Sequence, residues 1–593
     1  MPQEGIKLED PELTMLRLNK ESGYNYRERR QNDWDENYQL YRDKVIINRL
    51  TQRQSVNLPM MKLSIQTLMK DVDDMPVLYF ENLDNDKEAE IFKNEYWKYT
   101  AEHNKIEIQD IVDKRQQFLF GRSFDQWQIV DGKVKMTIQD PMDILVDRYC
   151  DPSNLNSSRF LIHTHIFVPL NTLEKNKDYD QEAVAKLKLW HATDQGLIKS
   201  QENKNMLQNK NKKLSDLGVS DIDEPVLGET YVELTMHFVY REEKGEEQLY
   251  LMVECDDMEI LMKKPLEEVI GKTKDNFWRN HFPYVSWAGD VERQDFWSDG
   301  IADVVRTPNK VLNSWFSQLV ENRTLRNFGM HYFDSTIEGF VPQTFTPVPW
   351  GWYGVPGKPQ DIMQKVDIPD LSESLDEMQF LIDMTERGTG ATATQQGMKT
   401  ERQITLGEVQ LALGEAKERI KGLSKFYTQA WKDRGEIFIK LVEAASDKLD
   451  AVKIYKKGRN TDDIFTKEIT PADWMTKSGY QVKVWSQDEK DTQNTDSLEK
   501  LNAAKMNMPD NPKLDEIYKR KLVEFAKLTP DEVNQVMDYE KKKMENMMMM
   551  GMGGMNMGQP PPGQPGQAQP KPQPQAQPQG QPQVNMQMGG RPI

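Results

Sequence analysis

The sequence predicts an α+β protein, mostly helical, on the strength of three observations. A helical pattern runs from Leu13 to about Met69, returns from Gly300 to about Phe328, and recurs from about Thr405 to Ala445 with apolar residues three and four apart, the period of a helix with one buried face. Between these stretches the period falls to two, around Trp127 to Ile138 and from Val232 to Cys255, as in strands with one face in a core. From Gly551 to Ile593 the chain is mostly Met, Gly, Pro and Gln, which cannot build a core and predicts a disordered tail, 551–593.

A chain of 593 residues is too long for one core, so several domains are expected. No apolar run approaches the roughly 18 residues of a membrane helix, and Met1 to Asp10 lacks the basic-then-apolar pattern of a signal peptide. The two cysteines, Cys150 and Cys255, have no metal-ligand spacing. A disulfide framework is therefore not expected, and a reducing cytoplasm fits. The net charge of −18 argues against tight DNA binding through neutralised phosphates.

Taken in order, Leu13 to about Met69 reads as helix, with Tyr24, Tyr26, Trp34, Tyr38 and Tyr41 among many charges. Asp86 to Phe120 is a second amphipathic stretch. Trp127 and Ile129, then Asp131-Gly132, then Val134, Met136 and Ile138 spell a hairpin. Val232, Leu234, Met236, Phe238 and Tyr240 form another strand, leading through Gly245 to a partner from Gln248 to Cys255. The Lys/Asn/Gln-rich stretch 198–224 between them reads as a polar surface insertion.

From Gly300, Val304, Val311, Leu312, Trp315, Phe316, Leu319 and Val320 form one apolar stripe that predicts a helix ending near Phe328-Gly329. Gly339 to Pro359 contains Pro-Val-Pro-Trp-Gly-Trp-Tyr-Gly, where proline's fixed φ and glycine's freedom predict loop and short strand. A short acidic helix follows from Leu371 to Arg387, and Gly388 to Gly397 has no apolar anchor to hold it still. A long helix is expected from about Thr405 to Ala445, with the seam Leu406, Val409, Leu413, Ala416, Ile420, Leu423, Tyr427, Ala430, Ile437 and Leu441, interrupted at Arg434. Gly407, Gly414, Gly422 and Gly435 each cost about 1 kcal/mol there against alanine, which points to bending or close packing. A strand pair around Ile454 and Gln481 to Trp485 precedes helices over Thr492 to Lys505 and Leu514 to Met550.

Three stretches carry a family resemblance. The first is Asp140-Pro-Met-Asp-Ile-Leu-Val-Asp147, with Asp151-Pro152 and Ser158 to Ile162. The second runs from Gly300-Ile-Ala-Asp303 through Pro308 to Asn313, and the third is the Gly/Thr loop followed by Thr405-Leu-Gly-Glu-Val-Gln410. In order and spacing they resemble the portal proteins of tailed phages, most of all those of short-tailed phages, the crAss-like group among them.

The resemblance implies a portal-like fold: an N-terminal and wing region (1–297), a first stem helix (298–329), a clip (330–370), a second stem helix (371–387) and a tunnel loop (388–404). A long wing helix with wing strands (405–487) and a helical crown (488–550) complete it. It also implies a head-to-tail connector, a homo-oligomeric ring usually of twelve copies at one capsid vertex. Double-stranded DNA would be packaged and ejected through that ring. The implied partners are the terminase large subunit, the major capsid and scaffold proteins and tail adaptor proteins, with assembly in the host cytoplasm and a final place in the virion. No enzyme activity, cofactor, metal or membrane is implied.

Within that frame Thr389, Thr392, Lys399 and Arg402 are the expected DNA-facing residues of the tunnel loop. Trp350, Trp352 and Tyr353 are the expected docking surface of the clip, since aromatics give large contact area at low entropic cost. Val304, Trp315 and Leu319 are expected to pack the first stem helix, against its own core or against a neighbour in the ring. Arg306, Lys310, Arg323 and Arg326 on the first stem helix face Glu373, Asp376, Glu377, Asp383 and Glu386 on the second, a complementarity suited to fixing register. An acidic lumen would let the duplex slide without sticking.

Two rival readings remain open at this level. Asp140, Asp143, Asp147 and Asp151 are the carboxylates a two-metal nuclease would need, although Asp-Pro pairs also serve as ordinary turn formers. A tail-collar scaffold without a DNA channel is the other. His163-Thr-His165 would put two imidazoles on one strand face, too few for a structural zinc site. Gly271-Lys272-Thr273 lacks the glycine of a phosphate loop, because Leu266 stands there.

Overall fold

The computed structural model describes residues 10–43, 56–72, 75–83, 87–215, 229–243, 245–328, 331–333, 336, 358, 363–365, 367–371, 374–390, 406–457, 464–469, 480–485, 499–504 and 517–518. Two units divide the chain, Met1–Asn507 and Met508–Ile593. In the second, residues 517–518 are described, as helix. Most of the expected crown, and the whole expected tail, lie outside the described residues.

The first unit is α+β. Helix α1 (Pro11–Tyr41) starts where the Asp10 carboxylate accepts the Glu12 N–H and Pro11 needs no donor. Helices α2 (Met60–Asp71), α3 (Lys87–His103) and α4 (Ile106–Phe120) follow, with strand β1 (Val77–Asn82) between α2 and α3. The expected hairpin is present as β2 (Arg122–Val130) and β3 (Lys133–Gln139), in the register Trp127↔Met136 and Ile129↔Val134. Asp131 and Gly132 both take positive φ, 49° and 70°, the two-residue turn whose twist matches the strands.

A five-stranded antiparallel sheet, in the order β4-β5-β6-β7-β8, forms the second layer. Its strands are β4 (Ile144–Val146), β5 (Phe160–Pro169), β6 (Tyr231–Glu243), β7 (Glu246–Cys255) and β8 (Glu259–Pro265). Three helices, α5 (Leu170–Leu173), α6 (Gln181–His191) and α7 (Asp194–Ser215), fill the connection from β5 to β6, and α8 (Leu266–Val269) follows β8. Strand β9 (Tyr284–Ala288) then pairs with β2. This leaves β2 buried on both faces: Asp125 and Trp127 turn to one side, while Phe124 meets Phe296 and Trp297 on the other.

Helix α9 (Ile301–Phe328) and helix α10 (Ser374–Thr389) flank the short pair β10 (His331–Phe333) and β11 (Met363–Lys365). Helix α11 (Leu406–Ala444) runs one residue short of its expected limits at either end. Strand β12 (Val452–Lys457) pairs with β13 (Ile464–Ile469), and β14 (Tyr480–Trp485) pairs with β1. The expected pairing of Ile454 with the strand at Gln481 is thereby corrected. Each strand finds a different partner, and β14 reaches back to a segment far earlier in the chain.

Two further expectations are refined. The stretch 198–224, expected as a polar surface insertion, is helix as far as Ser215, and 216–224 lie outside the described residues. Ser200 and Asn203 are buried, and Asn203 Nδ2 donates to Asp256 Oδ1 at 2.8 Å and to the Tyr231 carbonyl at 3.2 Å. Polar composition hid a docked face, because the contacts that dock it are themselves polar. His163 and His165 do not share a strand face either. A bulge between His163 and Ile166 puts His165 at φ 58°, so His163 Nδ1 meets the Tyr284 hydroxyl whereas His165 Nδ1 meets Asp143.

Candidate functional site: the paired helices and their anchorage

α10 packs along α9, and α9 is also tied to the segment before α10, by Asn322 Nδ2 donating to the Pro369 carbonyl and by Arg326 pairing with Asp370 at 2.6 Å. The buried line of α9 is Ala302, Val305, Asn309, Leu312 and Asn313, at helical spacing on one face. Val304 was expected in the buried stripe but is 51% exposed, and Val320 is 40% exposed. Trp315 and Leu319 are half-buried. Among the described side chains of α10, Met378 and Thr385 are buried, while Leu375, Phe380 and Met384 are exposed, Phe380 at 66%. Among the described residues, the helix pair therefore leaves apolar side chains exposed.

The expected charge match between the two helices is corrected in its first half. Arg306 pairs with Asp33 at 3.1 Å and lies 3.8 Å from Glu36, and Lys310 pairs with Glu36 at 2.6 Å. Both partners are on α1. The periodicity of α9 could not show this, because α1 arrives from nearly three hundred positions earlier, a separation only tertiary packing closes.

At the start of α9 the Asp303 carboxylate receives four donors. Oδ2 accepts the Gly300 N–H at 2.9 Å and Arg30 Nη2 at 3.1 Å. Oδ1 accepts Asn37 Nδ2 at 3.0 Å and Arg306 Nη1 at 3.1 Å. The neighbouring chain crossing is tight: a Cβ on Gly121, at φ 80°, would stand 1.8 Å from the Ser298 carbonyl oxygen. Only glycine combines that φ with that approach.

α11 is fixed on its other side by a buried ion cluster. Arg434 was expected to interrupt the seam, but it is fully buried with Nη2 2.8 Å from Asp113 Oδ2 and 2.8 Å from Asp125 Oδ1. Trp287 Nε1 donates to Asp113 and Trp127 Nε1 to Asp125. Burial opposes the guanidinium's charge, but the two carboxylates outweigh it and hold Arg434 protonated; burial raises Asp125 above the usual carboxylate range against the pull of Arg434. About two turns earlier, the Tyr427 hydroxyl donates to Asp110, which also pairs with Lys114. The expected close packing of the helix glycines holds at Gly435, where a Cβ would stand 2.7 Å from Val482 Cγ1.

The other expected site residues fall as follows. Thr389 is not in a loop: it closes the last turn of α10, its hydroxyl donating to the Thr385 carbonyl, and Gly390 ends the helix at φ 83°. Thr392, Lys399 and Arg402, like Trp350, Trp352 and Tyr353, lie outside the described residues. The aspartates expected as a cluster serve separate turns. Asp140 caps Met142, Asp147 accepts the Tyr149 N–H, Asp151 accepts Ser153, and Asp143 holds His165. Among the described residues no group of three or more His, Cys, Asp or Glu is placed to hold a metal ion, and no helix is long and apolar enough to cross a membrane.

Sequence reading missed Asp303, Arg30, Asn37, Asp113 and Asp125. One signal was available: Asp125 lies two residues before Trp127, so alternation puts a carboxylate on that strand's inward face. Comparison with known proteins completes the picture. A family model described as Phage SU10 portal protein matches residues 62–589. Among curated proteins, none matches the sequence.

Proposed function

The chain belongs to the Phage SU10 portal protein family, a structural family of the virion, and from that footing we propose that it closes into a ring at one capsid vertex and forms the channel for double-stranded DNA. The family membership carries this reading. The exposed Val304, Val320, Leu375, Phe380 and Met384 support it, since apolar residues left uncovered on two adjacent helices suit burial against the same helices of a neighbour. Purified protein is expected to form closed rings with a central channel in negative-stain micrographs. Monomers or two-fold dimers alone, at packaging-relevant concentrations, would refute the ring.

The finer assignments belong to the same proposal. Trp350, Trp352 and Tyr353 dock the terminase motor and later the tail adaptor. The segment after Gly390, with Thr392, Lys399 and Arg402, meets DNA in the channel, its local positive charge giving weak phosphate contact in an acidic protein. In a packaging assay, Trp350→Ala with Trp352→Ala is expected to spare rings and weaken motor binding. Shortening 391–396 is expected to spare rings and reduce the DNA retained. Wild-type behaviour of both variants would remove these roles.

A further inference from the structure

We propose that Asp303 is a pin through which α1 sets the angle at which α9 leaves the body of the protein. α1 lies N-terminal to residues 62–589 that the family model matches. Yet its side chains hold both ends of a bridge. Toward the five-stranded sheet, Lys20 pairs with Asp257 at 2.7 Å and Arg27 donates to the Met142 carbonyl just before β4. Toward α9, Arg30 and Asn37 reach Asp303, while Asp33 and Glu36 hold Arg306 and Lys310. Between these contacts Trp34 is fully buried against Phe120 and Trp297, so α1 is a packed strut.

The chemistry at Asp303 is that of a saturated acceptor. Four donors arrive, and three are from side chains, two of them cationic. Charge-assisted bonds of this kind are about twice as strong as neutral ones. The Asp303 side chain is 9% exposed, so an unsatisfied donor there would find little water to replace its partner. The outer pairs differ: Lys310 is 50% exposed and Asp33 37%, which leaves them open to salt screening. The device is a buried pin with a screenable outer brace. In the ring of the proposed function it fixes how the paired helices meet a neighbour, and that step rests on that reading. The pin itself is a property of one chain.

Hydrogen exchange on the full-length protein tests it, with oligomeric state recorded separately so that failure of the ring and failure of the pin are told apart. Asp303→Asn keeps the shape but replaces one acceptor oxygen by a donor and removes the charge. Amides of 301–314 are expected to exchange roughly tenfold or more faster, while those of 231–255 keep their wild-type protection. Glu36→Lys is expected to do the same more mildly, and Glu36→Lys with Lys310→Glu to restore protection. Should Asp303→Asn fail to fold, this exchanged pair decides. Unchanged protection in the single variants, or no recovery in the exchanged pair, overturns the proposal.

Discussion

Arg434→Met is expected to destabilise the first unit by about 3–5 kcal/mol, the cost of removing one partner from a buried ion cluster. The arginine and its partners Asp113 and Asp125 have no exposed side-chain surface. Without the guanidinium two carboxylates face each other in a space that water does not reach. One carboxyl is then expected to take up a proton, because burial raises the carboxyl pKa and, with the guanidinium gone, only the two indole N–H donors oppose it. The sign follows from linkage: a carboxyl whose folded pKa is raised supports stability at low pH and loses that support as pH rises through the raised value. The deficit of Arg434→Met against wild type is therefore expected to be larger at pH 8 than at pH 5. Urea unfolding followed by tryptophan fluorescence reports it directly, since Trp127 and Trp287 donate to the same two carboxylates. A deficit under about 1 kcal/mol would show the cluster to be dispensable, and one that grows as pH falls would overturn the linkage. Replacing both aspartates together with the arginine by apolar residues of similar volume is expected to recover much of the loss.

Phe380→Asp is expected to leave the single chain folded and to stop ring formation. Phe380 is 66% exposed on α10, so a carboxylate there meets water and costs the isolated chain little. If the residue is covered by a neighbour, the variant forgoes the roughly 1.5–3 kcal/mol that burying a phenylalanine contributes. It also buries an unpaired charge at every subunit contact. A ring repeats the defect at each interface, so closure fails as a whole. Mass photometry at several concentrations, with circular dichroism as a check on folding, separates the outcomes. Rings of wild-type size and stability in the variant would place Phe380 on a free surface and withdraw the helix pair as the contact.

Much of the fold was legible wherever local pattern and tertiary environment agree. The limits of α11, the Asp131-Gly132 hairpin, the strands β6 and β7 and the presence of α9 all follow from spacing and turn chemistry, which are local signals. The candidate site was legible less well. Val304 lies in the stripe the spacing predicts and is exposed, because a helix with apolar residues on two sides can bury only one of them within its own chain.

α4 shows where pattern misleads. Asp110, Asp113, Lys114 and Gln117 repeat at helical spacing and would be read as the wet face, with Ile108 and Ile111 as the dry one. The structure reverses this: the polar line is buried and the two isoleucines are exposed. Buried charges are tolerated only where opposite charges meet them. On α4 Lys114 meets Asp110 within the helix, while α11, more than three hundred residues later, supplies Arg434 to Asp113 and the Tyr427 hydroxyl to Asp110. By itself the sequence determined the kinds and order of many elements and the resemblance to portals, because periodicity, turn chemistry and motif spacing are local. Only the tertiary structure decided that β14 pairs with β1, that Arg434 is core and that Asp303 gathers α1 and α9. Each of these depends on which distant segment supplies the partner, and no local spacing encodes that.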